Sequence, residues 1–217
     1  MFIRSIAVLF LALQNSSGLF IRVRDANVTC KNGGHKFLGY SLRKSFLEAH
    51  NVKRASLAQG NEDFPKAADM RFMAYDCGLE KEAIQLTKKC QNFTDRTQFN
   101  GTRTNFAIIE NRSDNGPNKV AQQAVSDWWN TKPQAWEEAP KITEKDNLAM
   151  PFFLTAQADM DKVGCSVDSC KGDNGESYYT IACRYGKDVN VGGELYKQGE
   201  ACSTCSEHCY KGVLCKN

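Results

Sequence analysis

The sequence lacks the short motifs that mark the common enzyme classes. It has no G-x-S-x-G, no H-E-x-x-H and no phosphate-binding loop, and its serines and histidines form no recognisable nucleophile pattern. It also has no run of about five like charges, and its net charge is only +3. Nucleic acids and acidic membranes are therefore not the expected partners.

Long apolar stretches are also missing, apart from a short one at the N-terminus. Residues 1–4 carry positive charge, residues 7–13 are apolar and residues 16–18 are small. This order is typical of a secretory signal peptide, whereas a membrane-spanning helix needs about 20 apolar residues. We predict a signal peptide at residues 1–18 and no transmembrane anchor in the mature chain. The alternative is a buried N-terminal helix.

Cysteine, in contrast, is plentiful beyond residue 18, where all ten cysteines lie. An even number of cysteines in an exported chain indicates disulfides. The same part of the chain has four N-x-[ST] sequons, which are acceptors for N-glycosylation: Asn27, Asn92, Asn100 and Asn111. Both features predict a secreted, extracellular glycoprotein.

Apolar residues recur at helical spacing in the first two thirds of the chain. The pattern predicts helices at residues 41–58, 66–90 and 118–131. Residues 19–40 are predicted to form an extended lead-in. Three sequons, with Gly and Pro, predict an exposed connection at residues 91–117, and a polar loop is predicted at residues 132–148.

The last third of the chain has a different period. Residues 162–167 and 177–185 are rich in β-branched and aromatic residues, and the turn cluster KGDNGE lies between them, so we predict an antiparallel hairpin. LAMPFFLTAQA (148–158) predicts a short helix or a strand. Helices followed by strands favour an α+β fold. After residue 196 the chain is too short and too rich in cysteine for its own core, so disulfides are expected to hold it.

Five stretches, taken together, carry a resemblance: EAHNVKR (48–54), DMRFMAYDCGLEKEA (69–83), AVSDWW (124–129), DKVGCSVDSC (161–170) and ACRYGKDVNVGGELYKQGEACSTC (182–205). In this order they resemble the signature segments of the CAP superfamily, which includes cysteine-rich secretory proteins, venom allergens and plant pathogenesis-related proteins. The Y-D-C form of the second stretch and the short cysteine-rich end are most similar to the secreted venom-allergen-like and activation-associated proteins of parasitic nematodes. The resemblance implies a three-layer α-β-α sandwich at residues 41–196 with a hinge-like tail at 197–217.

Several CAP proteins hold a divalent metal in a cavity of two histidines and two glutamates, and this chain departs from that set. Only Glu110 matches, because Thr131 stands at the second glutamate position, Pro151 at the second histidine position, and residues 91–97 contain no histidine. A lone carboxylate does not make a metal site. We therefore expect no metal, no other cofactor and no CAP-type hydrolase activity.

The chain has three histidines, and none matches the cavity. His35 precedes the first predicted helix. His50 lies in the H-N-x-x-R stretch, where a hydrogen-bonded core residue is expected rather than a catalytic base. His208 lies among the terminal cysteines, a pattern that also fits a zinc site, although disulfides are expected in a secreted chain.

Aromatic residues border the predicted loop between the third helix and the first hairpin strand. Some CAP proteins bind sterols or fatty acids through an apolar pocket and an aromatic-bearing loop at this position. The resemblance therefore implies four candidate lipid-binding residues, whose alternative role is packing in or over the core: Trp129, Trp136, Phe152 and Phe153.

The resemblance also implies a disulfide pattern. It pairs Cys165 with Cys183 and Cys90 with Cys170. The hinge-like tail is expected to contain Cys202–Cys209 and Cys205–Cys215. The two remaining cysteines, Cys30 and Cys77, are then expected to pair with each other.

Two functions remain open on these grounds. The first is a secreted, non-enzymatic effector that binds extracellular or host proteins as an immunomodulator. The second is a carrier of sterol or fatty acid. A metal-dependent hydrolase is not expected, because only one of the four cavity ligands is present.

Overall fold

The structure is a computed structural model that describes residues 28–30, 37–61, 64–90, 103–111, 115–133, 141–142 and 148–216. In these ranges the elements follow one another as four α-helices and six short or medium strands. The signal-peptide prediction and three of the predicted glycosylation sites, Asn27, Asn92 and Asn100, lie outside the described residues.

The described strands form a four-stranded sheet of order β1-β3-β4-β2. Strand β1 (Ala74–Tyr75) runs parallel to β3 (Lys162–Lys171), and β3 is antiparallel to β4 (Ser177–Tyr185), which pairs with β2 (Thr104–Glu110). The predicted antiparallel hairpin is confirmed. Its first strand extends four residues beyond the predicted end at residue 167.

Helices cover both faces of this sheet. Helix α2 (Cys77–Thr87) packs on β3 and β4, whereas α1 (Tyr40–Ala58), α3 (Pro117–Trp129) and α4 (Met150–Ala156) pack together. A Cβ atom at Gly164 would collide with the backbone of Asp76 and Glu80, so glycine lets β3 and the start of α2 approach closely. The result is the α-β-α sandwich that the resemblance implies.

The prediction of one helix over residues 66–90 is wrong for its first half. Residues up to 76 are extended and include β1, and the helix begins only at Cys77, where the Asp76 carboxylate accepts the N–H groups of Gly78 and Leu79 at 2.8 and 2.9 Å. Met70 and Met73 are buried. Their segment is extended because its amides donate to distant carbonyls, such as Ala74 N to Asp161 O at 2.7 Å.

The prediction that residues 91–117 form an exposed connection is wrong for β2. Residues 104–110 pair with β4 in register from Thr104↔Arg184 to Glu110↔Tyr178. Asn105 and Ile109 are buried and Ile108 is exposed. Strand β2 lies at an edge of the sheet.

The cysteine-rich tail is held by disulfides and also packs on the main core. Its two short strands, β5 (Cys209–Tyr210) and β6 (Leu214–Cys215), form a small antiparallel pair. Leu214 and Val213 are buried, and the backbone of Cys215 exchanges hydrogen bonds with Met70 and Phe72 at 2.8 and 2.7 Å. The tail contains the two disulfides that were expected to hold it, Cys202–Cys209 and Cys205–Cys215, and its contacts with the main core hold it as well.

All ten cysteines lie in the described ranges and all are paired. The five disulfides join the same partners that the resemblance implies: Cys30–Cys77, Cys90–Cys170, Cys165–Cys183, Cys202–Cys209 and Cys205–Cys215. Among the described helices, none is both long and apolar enough to cross a bilayer.

Candidate functional site

His50, the histidine of the H-N-x-x-R stretch, is fully buried on α1 and has both ring nitrogens engaged. Its Nδ1 donates to Phe46 O at 2.8 Å, and its Nε2 accepts from the Tyr185 hydroxyl at 3.0 Å. Burial lowers the pKa of His50 to about 4. The ring is neutral at physiological pH and does not reach solvent, so it does not act as a catalytic base for an external substrate.

Arg54 is also fully buried, and it has no carboxylate at hydrogen-bonding distance among the described residues. Its guanidinium instead donates five hydrogen bonds of 2.8–3.0 Å to backbone carbonyls, namely those of Arg71, Thr155, Gln157 and Ala158. Burial lowers the pKa of Arg54 to about 10, so the group remains charged at neutral pH. This arginine ties α1 to the extended segment before β1 and to the end of α4.

Asn51 completes this face of α1. Its side-chain amide donates to Leu47 O at 3.0 Å and to Met73 O at 2.9 Å, and its oxygen accepts from Met73 N at 2.8 Å. Asn51 thus satisfies both backbone groups of one extended residue that has no strand neighbour on that side. The H-N-x-x-R stretch is a structural element of the described fold.

The three described positions of the family's metal cavity do not form a set of ligands. Glu110 is exposed at the end of β2. The Thr131 hydroxyl donates to Trp128 O at 2.8 Å and accepts from Phe152 N at 3.2 Å. Pro151 is buried in the first turn of α4, where its missing N–H leaves no hydrogen bond unmade. These residues do not fit a divalent metal, and the segment at 91–97 lies outside the described residues.

The candidate lipid-binding aromatics lie in the core where the structure describes them. Trp129, Phe152 and Phe153 are all fully buried, and the Trp129 and Phe152 rings meet edge to face at 5.0 Å between centroids. Phe64 packs on Phe152 at 6.0 Å. Three of the four residues therefore fill the interior between α3 and α4. Packing in the core is the alternative to the lipid-binding role that the resemblance implies. Trp136 lies outside the described residues.

The terminal cysteines do not form a metal site. Cys202, Cys205 and Cys215 have sulfur atoms within 4.8 Å of one another, but all three are in disulfides and have no thiolate to offer. His208 is exposed in a short 3-10 turn beside them. The zinc alternative for this region is therefore not supported.

An open groove of about 430 Å³ lies between β2 and α3. One wall is the strand end Ile108–Glu110. The other wall is a polar stripe on α3 at four-residue spacing, consisting of Lys119, Gln123 and Asp127. The pKa of Asp127 is raised, because the effect of partial burial outweighs that of a hydrogen bond from Gln123, which lowers it. The groove is polar, with charges of both signs.

The strand wall of this groove offers backbone groups as well as side chains. The hydrogen bonds Asn111 N to Ser177 O and Tyr185 N to Arg103 O fix the pairing, so even-numbered residues of β2 direct their backbone groups away from β4. Trp128 Nε1 donates to Phe106 O at 3.1 Å, and Asn115 donates to Glu110 O at 2.9 Å. Among the described residues, Ile108 between them has no such partner.

The fold and its disulfides define a CAP sandwich, and comparison with known proteins agrees. The chain belongs to the cysteine-rich secretory protein family, CAP, whose sequence profile matches residues 47–185. It is 27% identical over 175 residues to hookworm platelet inhibitor 1 of Ancylostoma caninum, covering 80% of this chain and 77% of that protein. It is 28% identical to Ancylostoma secreted protein of the same species, covering 76% of this chain but only 41% of that longer protein.

Solved structures give the same result. The crystal structure of NaASP2 with Zn²⁺ superposes with a TM-score of 0.71 at 28% identity, covering 86% of this chain and all of that one. The chain is thus similar in fold to venom-allergen-like proteins of nematodes, as the sequence resemblance predicts.

Sequence reasoning missed the groove. The spacing of Lys119, Gln123 and Asp127 on a predicted helix was a usable signal. Strand β2 is not predicted from the sequence, because the sequons at Asn100 and Asn111 on either side of it favour a loop. Neither the edge position of β2 nor its proximity to α3 has a local signature in the sequence.

Proposed function

We propose that this chain is secreted into the extracellular space and acts by binding host proteins there, as a non-enzymatic immunomodulator. CAP relatives of this chain are secreted proteins, and one is called a platelet inhibitor. The groove beside β2 is the observation that carries the proposal. It offers exposed strand backbone, an exposed apolar side chain at Ile108 and charges of both signs, which suit an extended polypeptide.

The described residues around this groove support binding rather than catalysis. The buried His50 does not reach the surface. Glu110 has no second metal ligand at residue 131 or 151, because the Thr131 hydroxyl is hydrogen-bonded and Pro151 is buried in a helix. Asp127 and Glu110 are carboxylates without a histidine or a thiol among the residues that line the groove. Nothing in this lining has the nucleophile-and-base pattern of covalent catalysis.

The test is the binding of a labelled, glycosylated chain, without residues 1–18, to leukocytes of a mammalian host. We expect saturable binding that unlabelled protein displaces. Ile108→Asp is expected to weaken it by roughly tenfold, because it replaces the exposed apolar side chain of the strand wall with a charge. Val191→Asp is the matched control, since Val191 is 38% exposed and Ile108 is 39% exposed.

Three outcomes would contradict the proposal. Absence of saturable binding removes the effector function, and equal loss in both variants removes the groove as its surface. Saturable binding of labelled cholesterol or palmitate that is lost in Trp136→Ala would favour the lipid-carrier function instead.

A further inference from the structure

The cysteine-rich tail holds two disulfides whose sulfur atoms are close neighbours. Cys202 is joined to Cys209, and Cys205 is joined to Cys215. The sulfur atoms of Cys202, Cys205 and Cys215 all lie within 4.8 Å of one another. Disulfides exchange partners when a thiolate attacks a neighbouring disulfide sulfur. A thiolate released from one tail disulfide would therefore form next to the other.

The backbone of the tail also suits a second pairing, in which Cys202 is joined to Cys205. The Cys205 N–H donates to Cys202 O at 2.9 Å and closes a turn over residues 202–205. The Cα atoms at the two ends of such a turn lie less than about 7 Å apart, and a disulfide bridges Cα separations of roughly 4.4–6.8 Å. The turn therefore brings these two cysteines within reach of a direct bond.

The other two cysteines of the tail are also placed for a direct bond. Cys209 and Cys215 stand opposite each other in the β5–β6 pair. Lys216 N–H donates to His208 O at 2.7 Å, so the neighbouring pair of Cys209 and Cys215 is a non-hydrogen-bonded one. The Cα atoms of such a pair lie about 4.5 Å apart, which is within the range that a disulfide bridges.

Each observed tail disulfide has one buried and one partly exposed cysteine. Cys202 and Cys215 are buried, with 5% and 7% exposure, whereas Cys205 and Cys209 are half-buried. A thiolate from solvent therefore reaches Cys209 more readily than Cys202. Its attack on Cys209 releases the Cys202 thiolate close to the sulfur atoms of the other disulfide.

Positive charge lies beside the accessible cysteine. The Nζ atoms of Lys211 and Lys216 lie 5.5 and 5.3 Å from the centroid of the Tyr210 ring, and Tyr210 follows Cys209 in the chain. Residues 201–216 contain these two lysines and one acidic residue, Glu207. A surface with an excess of positive charge favours the approach of a small anionic thiol, such as glutathione.

We propose that the tail is a thiol–disulfide exchange site for a small anionic thiol, at which its disulfides rearrange to Cys202–Cys205 and Cys209–Cys215. The thiolate attacks Cys209 Sγ, the bond to Cys202 breaks, and the electron pair leaves on Cys202. The Cys202 thiolate then attacks Cys205 Sγ and displaces the Cys215 thiolate. The Cys215 thiolate attacks Cys209 Sγ and releases the small thiolate. The thiol is regenerated, and no electrons are gained or lost overall.

The rearranged tail is connected differently. In the observed pairing both disulfides join the turn at 202–205 to the β5–β6 pair. In the second pairing each of these two parts is closed on itself. The turn is then held on the core by contacts such as Thr204 Oγ1 to Ala68 O at 3.1 Å, and β6 by the hydrogen bonds of Cys215 to Met70 and Phe72. The exchange therefore uncouples two parts of the tail. The groove beside β2 has no residue of the tail in its lining, so this chemistry is separate from the proposed binding function.

The experiment incubates the glycosylated chain, without residues 1–18, in a buffer of reduced and oxidised glutathione. Free thiols are then blocked with N-ethylmaleimide, and the protein is unfolded and cleaved after lysine, arginine and glutamate. Cleavage after Glu200, Glu207, Lys211 and Lys216 gives the fragments 201–207, 208–211 and 212–216.

Mass spectrometry distinguishes the two pairings. In the observed pairing, fragment 201–207 is linked to both other fragments. In the second pairing it is released with an internal disulfide, and 208–211 is linked to 212–216. We expect these two species to appear within minutes to hours, the time scale of disulfide reshuffling.

Two controls separate the exchange from other reactions. Oxidised glutathione alone supplies no attacking thiolate, so the tail fragments should keep their original linkage. In the same sample that contains reduced glutathione, Cys165–Cys183 should stay joined, because both of its cysteines are fully buried.

A tail that keeps its original linkage in reduced glutathione overturns the inference. So does a tail whose four cysteines are all blocked by N-ethylmaleimide without any released 201–207 fragment that carries an internal disulfide, because this result shows simple reduction. Neither readout involves leukocytes, so either result leaves the proposed binding function untouched.

Discussion

Two sets of positions in this molecule differ in what the fold requires of them. On α1, His50, Asn51 and Arg54 are fully buried and fully bonded. At the positions of the family's metal cavity, Glu110 is exposed and Pro151 has become the start of a helix. In the first set, Asn51 and Arg54 bond backbone groups of the segment before β1 and of the end of α4, and His50 bonds Tyr185 of β4. The second set is needed only by a ligand. The CAP fold is therefore formed although Thr131 and Pro151 replace two of the family's cavity ligands, and fold alone does not indicate function.

Among these predictions, the largest loss of stability is expected when Arg54 is replaced. Arg54→Leu removes five hydrogen bonds to four backbone carbonyl oxygens, so we expect a loss of about 5 kcal/mol in the free energy of unfolding. Urea denaturation followed by circular dichroism measures it. Arg103→Leu, at a side chain that is 38% exposed, is the control and should cost less than about 0.5 kcal/mol. A small loss for Arg54→Leu would show that the H-N-x-x-R face is not structural.

Trp129 tests whether the aromatic residues are core or ligand contacts. Trp129→Ala removes a fully buried side chain that packs on Phe152, and should cost about 4 kcal/mol in urea denaturation. Binding of labelled palmitate or cholesterol, measured on folded protein, should be the same in Trp129→Phe as in the unchanged chain. A stable Trp129→Ala protein with altered lipid binding would assign Trp129 to a ligand site.

His50 gives the fold a dependence on pH. Its pKa is about 4 when folded, below its ordinary value of 6.5, so the unfolded chain binds a proton that the folded chain rejects. This effect is absent above pH 6.5 and destabilises the fold as the pH falls from 6.5 towards 4, by up to about 3 kcal/mol.

The measurement is the urea midpoint between pH 7 and pH 4. His50→Gln should lose stability overall but show a flatter decline with acid than the unchanged chain. Identical slopes in the two proteins would mean that His50 takes up its proton equally in the folded and the unfolded chain.

The smallest effect is expected at Glu110. Glu110→Gln removes an exposed carboxylate at the end of β2 and should change the free energy of unfolding by less than about 0.5 kcal/mol. Zinc content after dialysis should be equal in the variant and the unchanged chain. Stoichiometric zinc that disappears in Glu110→Gln would show that the cavity still binds metal and would remove the contrast with α1.

Part of the fold follows from local patterns. Helices α1 and α3 begin and end within two residues of the predicted bounds, because their apolar residues recur at helical spacing. The β3–β4 hairpin was predicted from β-branched and aromatic residues on either side of a turn cluster. The candidate site is harder to predict from the sequence, because the burial of Trp129 and Phe152 and the groove beside β2 depend on which elements pack together.

The sequence by itself determined the family, the expectation of disulfides, the missing cavity ligands and the elements whose hydrogen bonds are local. Tertiary structure alone decided that residues up to 76 are extended and that 104–110 form an edge strand. The physical reason is the same in each case. The backbone groups of these segments find their partners far away in the chain, as Ala74 does at Asp161, and a local pattern does not encode a distant partner.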